Sequence, residues 1–77
     1  MKKYYAEKGS NITMAVYGVV LARARGCIGF EEYQHSGDGK VVGHAIGYRE
    51  DHIPDNVDIS SLVEVTEEII NDKLARC

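Results

Sequence analysis

Ser36-Gly37-Asp38-Gly39 is the feature that most narrows the fold, because it separates two β-rich segments, Ile28–His35 and Lys40–Arg49. Asp-Gly supplies the positive φ angles of a tight turn, so the sequence predicts an antiparallel hairpin here. Closing it with a two-residue or a four-residue loop preserves parity, and the same side chains share a face either way. One face carries Cys27, Gly29, Glu31 and Tyr33 with Val42, His44, Ile46 and Tyr48. The other carries Ile28, Phe30 and Glu32 with Val41, Gly43, Ala45 and Gly47. Small residues on that second face would let a helix approach the sheet closely.

The helix expected there is C-terminal. Leu62, Val65, Ile69 and Leu74 recur at near-helical spacing, and Ile70 widens the stripe. Ser61 with Glu64 fits a capping box, with Ser60 and Asp58 as rival caps. Glu64, Glu67 and Glu68 early, and Lys73 and Arg76 late, suit the helix dipole. The pattern predicts a helix over about 60–75, packed over Ile28 and Phe30 and approached by a loop from Asp51 to Asp58.

Asn11 to Gly26 admits two readings. As a strand, it puts Ile12, Met14, Val16, Val20 and Ala22 on one face, and its β-branched content agrees. As a helix, it would be capped by Asn11 and ended by Gly26, with Arg23 and Arg25 near its C-terminus. Gly18 weakens both. The strand is favoured, bent near Gly18, with residues 2–8 as a short edge strand blunted by lysines. The expected fold is therefore α+β: an antiparallel meander of three to four strands with a C-terminal helix on one face.

A chain of 77 residues makes one domain, residues 1–77, and buries about 60% of its unfolded surface. It has little room for a deep pocket beside its core, which favours binding on an exposed face over catalysis in a cleft. The Lys2-Lys3 start is followed by Tyr4-Tyr5-Ala6-Glu7-Lys8, not by an apolar signal segment. Met14 to Ala24 is too short to span a bilayer and is broken by Arg23. Cys27 and Cys77 form no disulfide framework, so a cytoplasmic location with reduced thiols is expected.

No catalytic or metal motif emerges. Cys27, His35, His44 and His52 have seven to eight residues between successive members, unlike the short paired spacings of zinc sites. Glu31 and His44 share a hairpin face but lack a third group, and Cys27 with His44 lacks an oxyanion hole. The glycines form no phosphate loop. No enzyme activity, cofactor or metal is expected.

Charge is the functional clue. Residues 1–49 carry seven Lys/Arg against four acids, and residues 50–77 carry eight acids against Lys73 and Arg76. Such asymmetry points to a charged partner. Glu64, Glu68 and Asp72 would form a helical stripe beside Glu67, and Asp55 and Asp58 precede it. Together they suit the basic surface of a larger protein, with Tyr33 and Tyr48 of the uncovered hairpin face as anchors. The alternative is a nucleic-acid-binding module that uses Lys2, Lys3, Arg23 and Arg25, with Tyr4, Tyr5 and Tyr17 to stack. A second copy covering the hairpin face fits either reading.

In size, acidity and lack of a catalytic motif, the chain is similar to small phage-encoded inhibitors, including anti-CRISPR proteins. The likeness rests on no motif and carries over no residues. It implies an inhibitor that blocks a basic, nucleic-acid-handling protein.

Overall fold

The computed structural model describes residues 2–75. Arg76, expected in the last helical turn, and Cys77 lie outside the described residues. The elements run β1 (Tyr4–Glu7), α1 (Ile12–Arg25), β2 (Gly29–His35), β3 (Val41–Arg49), a single 3-10 turn (Ile59–Ser61), β4 (Leu62–Glu64) and α2 (Glu67–Ala75). The strands form one antiparallel sheet in the order β2-β3-β1-β4. The α+β class holds, with a C-terminal helix on one face of an antiparallel sheet. The strand order is not that of a meander, because β3 inserts between β1 and β2 to give a split β-α-β unit.

The hairpin forms with the facing read from the sequence: Gly29 opposes Tyr48, Phe30 opposes Gly47, Glu31 opposes Ile46 and Tyr33 opposes His44. A register shift between Gln34 and His35 bends its turn end.

Residues 12–25 are a helix, not the favoured strand. Asn11 caps it, its side chain accepting from the Met14 N–H at 3.2 Å, and Gly26 ends it at φ 69°. The buried positions Ala15, Val16, Val19 and Ala22 follow helical spacing, whereas Val20, inward in a strand, stays 36% exposed. Packing of this stripe outweighs the β-preference of its valines. Asn11→Ala should therefore lower stability by about 1 kcal/mol in urea denaturation; an unchanged midpoint would mean that the cap is idle.

α1 also takes the place expected for the C-terminal helix. It packs on β2 and β3, and Gly18 sits so close to the Phe30 ring that a Cβ there would overlap it. Phe30 is thus held between Gly18 of α1 and Gly47 of β3. Ile28, expected beneath a helix, is exposed.

α2 is shorter than expected. Leu62–Glu64 pairs with β1 as a strand, so the Ser61–Glu64 capping box does not form. Asp58 instead caps the 3-10 turn through the Ser60 N–H. Thr66 opens α2: its hydroxyl accepts from the Ile69 N–H and its carbonyl from the Ile70 N–H. Ile70 is buried, Ile69 half-buried and Leu74 exposed.

β1 is an interior strand between β3 and β4, not a lysine-blunted edge. Its Tyr4 and Ala6 join Ala15, Val16, Val19, Ala22, Ala45, Val65 and Ile70 in the core. The Tyr4 hydroxyl donates to the Cys27 carbonyl at 2.7 Å, tying β1 to the α1–β2 junction. Both helices therefore cover the sheet face that carries Tyr4, Ala6, Phe30, Ala45 and Gly47. Among the described residues, no helix is long and apolar enough to cross a membrane.

Candidate interaction face

With both helices on one side, the other side of the hairpin stays open. Directly opposed strand residues share a face, so the registers put Tyr5, Glu7, Glu31, Tyr33, His44, Ile46 and Tyr48 together there. Tyr33 is 46% exposed and Val42 61%, while Ile46 and Tyr48 are half-buried. Toward β4 the same face is shielded, since Leu62, opposite Glu7, is only 9% exposed. α1 lies on the opposite face and leaves Tyr33 exposed.

The open face combines aromatic rings with carboxylates. The Tyr33 hydroxyl donates to Glu31 at 2.9 Å and the Tyr48 hydroxyl donates to Glu7 at 3.1 Å. Glu31 and its hydrogen bond raise the Tyr33 pKa above its ordinary value, with burial contributing. Burial and then the Glu7 hydrogen bond raise that of Tyr48. The registers place Glu31 of β2 and Glu7 of β1 on either side of Ile46 in β3. An open groove of about 720 Å³ runs beside them, lined by Cys27, Ile28, Glu31, Ile46, Tyr48 and His52. His44 is opposite Tyr33, so Glu31 and His44 share the face without being directly paired.

The acidic residues do not form the expected stripe. Glu64 belongs to β4, while Glu68 and Asp72 are exposed on α2. Glu67 pairs with Arg23 across the α1–α2 contact. Asp55 is exposed in the loop. The Ser60 backbone N–H lowers the pKa of the Asp58 carboxyl, which serves as a cap.

The basic residues are also partly engaged. Lys2, Lys3 and Arg23 gather around a hollow of about 390 Å³, but Glu64 and Glu67 line it too. Lys2 lies 3.8 Å from Asp51, and Arg25 is exposed. Tyr4, expected to stack on bases, is 2% exposed in the core. The two oppositely charged parts of the sequence thus meet inside the fold, and some of their charge is satisfied there.

Asp51 is the densest such junction, accepting from Arg49 Nε at 2.6 Å and lying 2.9 Å from His52 Nδ1. These hydrogen bonds, Arg49 first, hold its carboxyl well below its unfolded value of 3.8. A depressed carboxyl stabilises the fold above the unfolded pKa and loses that contribution as pH falls below it. Asp51→Asn should therefore lose less stability than the parent between about pH 6 and about pH 3. Equal losses in thermal melts would contradict the junction.

Cys27 is exposed, and it shares the groove with His52; His35 ends β2 at the turn. Among the described residues, no group of three or more His, Cys, Asp or Glu is placed to hold a metal ion. Glu7 is the member of the face that sequence reasoning missed. Its place follows only once β1 is known to pair with β3. Comparison of the chain with family models, curated proteins and solved structures gives no match.

Proposed function

We propose that this chain is a non-enzymatic protein-binding module that engages a positively charged partner through the open face of its sheet. The observation that carries this reading is the cluster of Glu7, Glu31, Tyr33 and Tyr48 around Ile46, on a face that neither helix covers. An arginine side chain fits its chemistry: the stem lies on Ile28 and Ile46, the guanidinium stacks on Tyr48, and Glu31 accepts its N–H groups. The net charge of −3 steers such a partner from a distance. The exposed acids Glu68, Asp72 and Asp55 add to that field, while the contacts lie on the sheet. Inhibition follows where the partner's basic surface is also its nucleic-acid site.

The test is calorimetric titration with an arginine-rich peptide at low and high salt. Saturable binding is expected, weakening about tenfold between about 50 and about 300 mM salt. Absence of binding at low salt would sink the proposal. Binding of single-stranded nucleic acid in place of the peptide would transfer it to Lys2, Lys3, Arg23 and Arg25.

A further inference from the structure

β2 is the outermost strand on its side of the sheet, seven residues long, with no described element beyond it. The Arg49 N–H donates to the Ile28 carbonyl at 2.8 Å, which fixes the direction of the ladder. Hydrogen-bonding direction alternates along an antiparallel strand. The N–H and C=O groups of Gly29, Glu31 and Tyr33 therefore point away from β3. They form an unpaired edge, which is a template for another strand. Beside it, between α1 and β2, lies a groove of about 480 Å³ lined by Thr13, Met14, Tyr17, Glu32, Tyr33 and Gln34. Tyr17 is 59% exposed there.

We propose that two copies of this chain pair antiparallel through their β2 edges, with the two-fold axis at Tyr33, to form a continuous eight-stranded sheet. Overlap and charge together select the register, since an axis at Phe30 or Gln34 pairs only three residues of each β2 strand. An axis at Glu31 or Glu32 sets two identical carboxylates directly opposite one another, which is destabilising. An axis at Tyr33 sets the two Tyr33 rings side by side. It brings Glu32 opposite Gln34 of the second copy and Glu31 toward His35, so no like charges meet. The groove beside the edge then receives the second copy's strand. Because the axis is perpendicular to the sheet, both open faces point the same way and the dimer presents the Tyr–Glu surface twice. The pairing hydrogen-bonds through the strand edge, but its Tyr33 and Glu31 also belong to the arginine-binding cluster, so Gln34, which lies on the other side of the sheet, is the position varied in the test.

Sedimentation velocity over a concentration series tests it, with Gln34→Glu and Gln34→Lys beside the parent. Gln34 is exposed, so both variants should keep the parent's circular dichroism. The parent should reach twice the 8.5 kDa of one chain. Gln34→Glu places a carboxylate against Glu32 at both symmetry-related positions and should weaken dimerisation by about threefold or more; Gln34→Lys should strengthen it comparably. A monomer mass up to about 1 mM overturns the proposal, as does a dimer that responds to neither variant. Weakening by both variants also overturns it, because that result places the axis at Gln34.

Discussion

Gly47→Ala is expected to destabilise the protein by about 1–3 kcal/mol, the usual cost of forcing extra volume into a packed core. A Cβ at Gly47 would overlap the Phe30 ring and lie 2.6 Å from the Tyr5 carbonyl. The ring cannot simply swing aside, because Gly18 of α1 holds its other face. The carbonyl belongs to β1, which pairs with β3 and cannot retreat without splitting the ladder. Gly18→Ala should cost less, because it meets only the ring and regains about 1 kcal/mol of helix propensity. Urea denaturation reads both; a Gly47→Ala midpoint equal to the parent's would mean that Phe30 does not occupy this slot. The consequence reaches the surface. Close seating of α1 on the Phe30 side is what leaves Ile46 and Tyr48 on the other side without a helix.

Glu31→Lys should weaken binding of an arginine-rich peptide by tenfold or more. It removes an acceptor from the groove wall and puts a cation beside Tyr48. Reversing one charge at near contact is worth about 1–2 kcal/mol at a protein surface. Glu68→Lys makes the same change in net charge on α2, away from the face, and should alter affinity by only about twofold at moderate salt. Equal losses in the two variants would reduce the account to net charge alone. Loss confined to Glu68→Lys would return the site to the acidic helix. Glu31 is exposed, so both variants should remain folded, and circular dichroism verifies it.

The sequence is a good guide wherever a local signal coincides with the fold, and a poor one where partners are distant. The hairpin was legible because Asp38-Gly39 fixes a turn and parity fixes the faces. The open Tyr33–Tyr48 face followed from it. Residues 12–25 misled because Ile12, Val16 and Val20 alternate as well as a strand would, while Asn11 and Gly26 mark a helix. What decides between them is the sheet beneath Ala15, Val19 and Ala22, and no local pattern contains it. The 62–75 segment misled in the opposite direction. Leu62 and Val65 fall on a helical stripe with Ile69, yet Leu62 pairs across to Glu7 in β1. Long-range pairing outweighed local period there, and it moved Glu64 off the helix. Pairing of β1 with β3 likewise brought Glu7 to the open face that carries Glu31.

Charge division also takes on a second meaning in the fold. Arg23 with Glu67 and Lys2 with Asp51 are contacts between the basic and acidic parts of the chain. Each has at least one well-exposed partner and contributes little to stability. They do lower the charge available to outside partners at both rival sites. The open face is different: among the described residues, its Glu31 and Glu7 accept from the Tyr33 and Tyr48 hydroxyls and form no ion pair.

The most direct measurement is an amide chemical-shift titration of the labelled protein with an arginine-rich peptide. The account predicts shifts concentrated at residues 29–33 and 44–48, with Tyr5 and Glu7 beside them, and α2 largely unmoved. Shifts confined to α2 and the 51–58 loop, or to Lys2, Lys3 and Arg23, with the sheet face silent, would contradict it.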